Sequence, residues 1–484
     1  MSELVTLTID GREVQVPPGT MVLEAAKLAG VLVPHYCYHP SLPVAGVCRM
    51  CLVEVAGSPK LAAACATPVT PGMAVSVSGA QAKAARQGVL EFLLINHPLD
   101  CPVCDQSGEC ELQDYTFQEG RSGTRYASFA KRYNPVEDFG PDILYVPNRC
   151  ILCTRCVRFM EHVAEEPVLN VSERGDRAYI GIDAGQLLEH PWSGNVVDLC
   201  PVGSLLSKDF LHKARAWDLD KTASVCTGCT QGCSMTLETR DNTVVRVRPR
   251  PNPEVNRHFI CDHGRLDYHW LNRSDRLETP LLLESGRLVP ATWEDALERA
   301  ADLLRSAKAP WVGLVSPGAS CEALEGAARL LALGKGKGKG AFRVAQGEEA
   351  PLAGVPDLAL RADRAPNVHG AEAAGFGRDW AGAVAGMRSA GLVLVLDEGL
   401  DGVDAPPSEV PMIYVGTALP EAARGAAVVL PCANTAEEEG TFTNLRGRRQ
   451  AYCQAKTPPG LARPAAWILE EVLAALGAGT GVAA

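Results

Sequence analysis

What this sequence does not contain narrows it first. Apolar residues never run on for long: stretches such as Leu392 to Leu396 fall far short of the roughly 18 to 20 residues that a bilayer-spanning helix needs. Lys and Arg are nowhere concentrated and the net charge is -11, so the basic footprint with which a domain holds nucleic acid is missing. The opening residues, MSELVTLTIDGREVQV, lack a basic segment followed by an apolar run, and no export signal is expected. No G-x-x-x-x-G-K-[ST] occurs, and none of the apolar strand candidates of the back half is followed by G-x-G-x-x-G, which leaves a nucleotide site unsupported. The run GKGKGKG at 334–340 matches neither pattern and reads as a flexible surface connection.

Cysteine, by contrast, is abundant: 18 in 484 residues, fifteen of them between positions 37 and 261. Without an export signal a disulfide framework is not the first reading, and closely spaced thiols point to metal. The front of the chain is therefore metal-bearing and the back metal-poor. A chain of this length also has room for several domains with cores of their own.

Residues 4–16 alternate polar and apolar around Asp10-Gly11, which predicts a hairpin with a type I′ turn. Thr20 is placed to cap a short helix reaching about Ala29, with Gly30 as its left-handed stop. Hairpin, helix and cysteine-rich loop is the layout of a β-grasp ferredoxin. Residues 80–96 have Val89, Leu90, Leu93 and Leu94 at helical spacing and end at His97-Pro98. Residues 223–250 read as short strands with a turn at Asp241-Asn242. Beyond about 281, apolar runs alternate with Ala-rich stretches such as 292–307, the pattern of a parallel sheet in an α/β domain.

Four cysteine sets follow one another. Cys37, Cys48, Cys51 and Cys65 (C-x10-C-x2-C-x13-C) can supply the four sulfurs of a [2Fe-2S] rhomb, with a four-thiolate zinc site as the alternative. Cys101, Cys104 and Cys110 form a triplet lacking a fourth thiol. His97 lies four residues before Cys101 and would complete a [4Fe-4S] site as a neutral imidazole, or else merely ends its helix. Cys150, Cys153 and Cys156, with the remote Cys200-Pro201, suit the corners of a cubane. Cys226, Cys229 and Cys233, with Cys261, suit another, where Gly228 and Gly232 allow backbone amides to approach sulfur. His35, His39 and His263 flank these sets but are expected to pack or hydrogen-bond rather than ligate. Cys321, Cys432 and Cys453 are expected to be buried small side chains without chemistry.

This order of sites resembles the large iron-sulfur subunit of respiratory complex I, in which the histidine matching His97 is an iron ligand. The segments ATWEDALERAADLL and VVLPCANTAEEEGTFTNLRGRRQ are in addition similar to the molybdopterin oxidoreductase fold. The resemblance implies an α+β and α/β multidomain chain. Residues 1–79 would be a β-grasp [2Fe-2S] ferredoxin, 80–120 a helical [4Fe-4S] segment with one histidine and three cysteines as ligands, and 121–218 a ferredoxin-like [4Fe-4S] domain. A small β cluster domain of molybdopterin-oxidoreductase type would occupy 219–280, and a truncated α/β domain of that type 281–484. About 200 residues after the fourth set are too few for the multidomain cradle of molybdopterin, so none is expected.

By the same resemblance the chain would carry one [2Fe-2S] and three [4Fe-4S] clusters and no complete active site of its own. It would pass electrons from a flavin, NADH-binding subunit toward quinone within NADH:quinone oxidoreductase. Its partners would be that subunit and others of the peripheral arm, with the membrane arm reached indirectly, and it would lie peripherally on the cytoplasmic face of the inner membrane. In that family the fourth cluster lies off the electron route. The iron-sulfur subunit of an NAD-linked hydrogenase or formate dehydrogenase is the alternative. The former would need further cysteine motifs and the latter a longer back half. A third possibility, a zinc-stabilised scaffold, would be colourless.

Overall fold

The computed structural model describes residues 4–127, 130–334 and 339–477. The chain divides into two compact units, Met1–Asp218 with Leu352–Pro356, and Leu219–Pro351 with Asp357–Ala484. Among the described residues no helix is long and apolar enough to cross a membrane.

The first unit begins with the expected hairpin. Asp10 and Gly11 both take positive φ, 44° and 77°, as a type I′ turn requires, and strands Val5–Ile9 and Arg12–Val16 pair antiparallel. Val5–Ile9 also runs parallel to Ala74–Ser76, which pairs with Leu52–Val55. Helix Val22–Leu28 buries Val22, Leu23, Ala25 and Ala26 against Leu7, Ile9, Val53 and Val75, giving a β-grasp core. Thr20 does not cap this helix. Met21 holds the cap position without a side-chain bond, while the Thr20 hydroxyl donates to the Pro17 carbonyl at 2.7 Å, closing the Pro-Pro-Gly turn instead. Gly30 is left-handed as expected, at φ 68°.

Helix Ala80–Asn96 ends where His97 turns extended before Pro98. Helices Glu111–Glu119, Arg155–His162 and Asn195–Leu199 follow, with a three-stranded sheet of Glu137–Asp138, Ile143–Tyr145 and Leu205–Ser207. The late segment Leu352–Pro356 is built into this unit. The Gly354 amide donates to the Val163 carbonyl at 2.8 Å, and a Cβ at Gly354 would fall 2.5 Å from the His162 carbonyl oxygen.

The second unit opens on the predicted strands, Asp220–Val225, Ser234–Arg240 and Thr243–Pro249, in one antiparallel sheet. Asp241 and Asn242 turn between the last two with φ 49° and 59°. The same unit holds a seven-stranded sheet in which Lys339–Phe342, Trp311–Val315, Leu392–Leu396, Met412–Gly416 and Val428–Pro431 are parallel neighbours in that order. The hairpin Leu281–Glu284 and Arg287–Pro290 adds an antiparallel edge. Leu392, Leu394 and Leu396 face the core shared with helices Trp293–Ser306, Cys321–Ala332 and Ala465–Ala475, while Val393 and Val395 face a second core. A strand covered on both faces needs apolar residues at every position, which is why it reads as an unbroken run. Thr292 caps Trp293–Ser306 by accepting from the Asp295 amide. In the run at 334–340, residues 335–338 lie outside the described residues, and Lys339 and Gly340 belong to the parallel edge strand rather than to a loose connection.

Two buried carboxyls make this unit sensitive to pH. Burial pushes Glu438 up to about 7 against the bonds it accepts from Tyr452 and the Ala465 amide, and pushes Asp397 up to about 6. The unfolded chain would release these protons near 4.5 and 3.8. Their contribution is thus complete below about pH 4 and lost as pH rises through about 6 to 7, a change on the order of a few kcal/mol. Glu438→Gln should flatten the fall in Tm of the second unit between about pH 5 and 8. An unaltered pH slope in calorimetry would refute the assignment.

Candidate metal centres

Loop geometry brings the first four thiols together. The Cys37 amide points at the Cys48 sulfur (3.5 Å), and Cys51 and Cys65 lie 3.4 Å apart, sulfur to sulfur. Hydrogen bonds from Cys48 and Cys65 pull the Cys37 thiol well below the usual thiol range, and the bond from Cys65 lowers Cys51 to about 7. Cys48 and Cys65 are driven up as the proton holders of the pairs. The two flanking imidazoles are engaged with backbone, His35 Nδ1 with the Val33 carbonyl at 2.7 Å and His39 Nδ1 with the Ser41 amide at 3.2 Å.

The second set lies between the ends of helices Ala80–Asn96 and Glu111–Glu119. Cys101, Cys104 and Cys110 are within electrostatic reach of one another, and burial raises Cys104 and takes Cys110 to about 11. Cys101 is exposed, as are the neighbouring Leu99 and Val103. The backbone approaches closely here, since a Cβ at Gly203 would stand 2.2 Å from the Cys104 sulfur. His97 caps its helix in extended conformation. Burial, with the charges of Lys131 and Arg149, lowers it to about 4 against the pull of Asp100, so its ring is neutral at physiological pH, the state a metal ligand requires. Its place as fourth ligand rests on the sequence spacing.

The third set surrounds a single cavity. Cys150, Cys153, Cys156 and Cys200 line one cavity together with Tyr145, Ile151, Arg155, Ile180 and Val202. Burial raises all four thiols, Cys150 to about 11 and Cys153 to about 12. The Leu152 amide, on a left-handed residue, donates to the Cys150 sulfur at 3.4 Å.

In the fourth set, likewise, burial raises Cys226, Cys229 and Cys233 and takes Cys261 to about 12. Gly228 and Gly264 donate amides to the Cys226 and Cys261 sulfurs at 3.4 Å. A Cβ at Gly264 would stand 2.7 Å from the Cys226 sulfur. Gly232 differs from expectation: its amide goes to the Cys229 carbonyl. With φ 62°, it makes room for Asn444, whose Cβ would lie 3.0 Å from a side chain there. The Gln450 amide group donates to the Gly232 carbonyl at 2.6 Å, and the Leu445 amide to that of Thr230 at 2.9 Å. The Glu438-x-Gly440-Thr441-Phe442-x-Asn444 stretch ending at Gln450 therefore holds the fourth thiol loop, a role its distance in sequence conceals.

Cys321 and Cys432 are buried as expected, but Cys453 is exposed. It follows the buried Tyr452 at the end of strand Arg449–Tyr452, so alternation turns it outward.

Buried thiols ordinarily stay protonated; a metal makes thiolates of them. The first, third and fourth donor sets, four sulfurs each with N–H donors aimed at sulfur, fit iron-sulfur groups, and the second brings three sulfurs of which Cys101 is exposed. Among the described residues, no three His, Cys, Asp or Glu side chains converge on a position for one metal ion. Two buried donors without a partner, the Tyr36 hydroxyl and Arg155 Nε, stand beside these sets. Tyr36 is within electrostatic reach of Cys48 and Cys110, and Arg155 lines the third cavity.

Family profiles match in the order of the sites. They are a 2Fe-2S iron-sulfur cluster binding domain (2–79), an NADH-ubiquinone oxidoreductase-G iron-sulfur binding region (86–125), and the ferredoxin-like domain of NADH-quinone oxidoreductase subunit 3 (140–206). A molybdopterin oxidoreductase Fe4S4 domain (219–272) and a molybdopterin oxidoreductase profile (398–475) complete the series. The chain is 43% identical over 305 residues to the G-type subunit of the NADH-quinone oxidoreductase of Rickettsia bellii, 63% of this chain and 44% of that protein. It is 42% identical over 309 residues to the G-type subunit of the same enzyme from Streptomyces coelicolor, 63% of this chain and 37% of that one. The NADH-ubiquinone oxidoreductase 78 kDa subunit of Neurospora crassa is 45% identical over 298 residues, 61% of this chain and 40% of that protein. The chain thus spans less than half the length of these relatives. A solved NAD+-reducing [NiFe]-hydrogenase is 32% identical, covering 43% of this chain and 90% of that one, with a TM-score of 0.40.

Proposed function

From relatives that are subunits of NADH-quinone and NADH-ubiquinone oxidoreductases, we propose that this chain is the electron-transfer subunit of an NADH:quinone oxidoreductase. It would carry electrons between a flavin, NADH-binding subunit and the quinone end of the peripheral arm. The observation that carries the reading is the run of four thiol sets within loops of two folded units, matched in order by iron-sulfur profiles. One [2Fe-2S] cluster would be held by Cys37, Cys48, Cys51 and Cys65. Three [4Fe-4S] clusters would be held by His97, Cys101, Cys104 and Cys110; by Cys150, Cys153, Cys156 and Cys200; and by Cys226, Cys229, Cys233 and Cys261. Bound, these groups supply one-electron carriers.

The chain's own contribution is to exclude water, fix the spacing of the thiolates and aim dipoles at sulfur. The amides of Leu152, Gly228 and Gly264 stabilise negative charge there, which favours the reduced state. No molybdopterin is expected. The carboxyl ends of the parallel strands, where such a fold takes its ligand, are filled by the chain's own groups. Arg276 pairs with Glu437 at 2.7 Å and donates to the Cys432 carbonyl, and the Cys432 thiol reaches Asp397. The place of action would be the cytoplasmic face of the inner membrane.

Anaerobically purified chain should be brown, with a broad visible absorption that bleaches on reduction and with iron and acid-labile sulfide in equal amounts. It should copurify with a flavin subunit and support NADH-dependent quinone reduction. Colourless protein holding zinc would sink the reading, and copurification with a soluble hydrogenase would replace it.

A further inference from the structure

We propose that Arg155 and Arg158, one turn apart on helix Arg155–His162, form a fixed cationic hub that couples the first and third thiol sets and raises the reduction potentials of the clusters held there. The inference rests on the electron-transfer reading above and adds residues that ligate nothing.

Both side chains are buried, at 5% and 7% exposure. Arg158 Nη2 donates to the carbonyls of two cysteines from different sets, Cys37 and, at 3.2 Å, Cys153. Its Nη1 reaches the Pro43 carbonyl and its Nε the Thr154 carbonyl at 3.2 Å. Arg155 works in parallel. Its Nη2 donates to the Tyr38 carbonyl beside Cys37 at 2.9 Å, and its Nη1 to the Leu199 carbonyl beside Cys200 at 3.2 Å. The two guanidinium forks thus reach a loop that is 115 to 121 residues away in the chain from the arginines.

Arginine stays protonated in a protein interior, and a buried cation without a counter-charge costs on the order of several kcal/mol. Arg155 shares its charge with Glu111, 3.2 Å away and adjacent to Cys110 of the second set. The oxygens around Arg158 are neutral carbonyls and the Thr154 hydroxyl. Its missing anion is supplied once the sulfurs of Cys37, Cys153 and Cys156 are thiolates bound to iron. A cation in low dielectric beside two such anionic groups favours the more negative, reduced form of each, and so raises both potentials. When one electron passes from one of these sites to the other, the donor is oxidised and the acceptor reduced by one. No bond or proton changes hands, so a permanent charge acts on the potentials alone.

The test is a redox titration followed by electron paramagnetic resonance on the full chain with its clusters assembled. If the unaltered chain shows no iron-sulfur signals, the electron-transfer reading itself fails. With signals present, Arg158→Gln should shift the first and third potentials downward together and leave the fourth, in the other unit, where it was. Arg158→Lys should stay near the unaltered values. Unmoved potentials in R158Q, or a fall in R158K as large as in R158Q, would overturn the proposal. Should R158Q fail to retain its clusters, R155Q decides, since it removes the other charge of the pair: a joint fall of the two potentials supports the hub, and unmoved potentials refute it.

Discussion

Replacing Gly203 with alanine should strip the second thiol site of metal while the first and fourth stay loaded. Gly203 follows Cys200-Pro201 of the third set, but its empty side faces the second: a Cβ would stand 2.2 Å from the Cys104 sulfur and 3.0 Å from Gln106 Cβ. Neither partner can withdraw cheaply. Cys104 is buried, and the Gly203 backbone is held by Arg149 Nη1 on its carbonyl, at 3.4 Å. The next residue is held by the paired Val146 and Ser204 bonds, 2.7 Å from the Val146 amide and 3.0 Å from the Ser204 hydroxyl. An added methyl must therefore move a ligand, at a packing cost of about 1–3 kcal/mol and a loss of roughly 10- to 100-fold or more in metal retention. Gly123→Ala, where nothing lies within 4 Å, is the control. Iron and sulfide counts on both variants, with electron paramagnetic resonance to say which signal is lost, give the answer. A G203A protein with an intact second site would refute Cys104 as a ligand.

Substituting His97 should act on the same site by a different route. The helix Ala80–Asn96 ends at this residue because Pro98 forces it out of helical conformation. Lys131 seals the end, its Nζ donating to the carbonyls of Leu94 and Ile95 at 3.0 Å each. Burial, together with the same lysine and Arg149, keeps the imidazole neutral down to about pH 4, so a lone pair is available at any physiological pH. His97→Ala should leave a labile or three-iron cluster and a large fall in electron flux. His97→Cys should retain a four-iron cluster at lower potential, because a thiolate adds the negative charge that imidazole lacks. A second-site spectrum and potential identical to those of the unaltered chain in H97A would reduce the residue to a helix terminus.

Local rules made much of this legible in sequence. Asp10-Gly11 and Asp241-Asn242 gave their turns away because left-handed pairs demand particular residues. The helix over 80–96 was marked by spacing and by proline, and the parallel strands by unbroken apolar runs. Thr20 misled because its hydroxyl turns back to the Pro17 carbonyl and Met21 takes the cap position, and Cys453 because alternation past Tyr452 outweighs the preference of a thiol for burial. The strand beginning at Lys339 was hidden because its first two residues, Lys339 and Gly340, continue a low-complexity run. Each cysteine set was visible because its ligands are mostly close in sequence. Arg155, Arg158, Gly203 and Gln450 were not, since each makes a decisive contact about 100 residues or more away, with Tyr38, Cys37, Cys104 and Gly232, and no periodicity marks such pairs.

Leu352–Pro356 belongs to the first unit although 133 residues of the second precede it in the chain. Synthesis runs from the amino terminus, and domains tend to fold as they emerge. Here the unit carrying three of the four thiol sets lacks its last five residues, and the bond from the Gly354 amide to the Val163 carbonyl, until those 133 residues have been made. The last part of that unit thus follows much of the second unit off the ribosome, and a chain released before position 352 should leave an unfinished first unit.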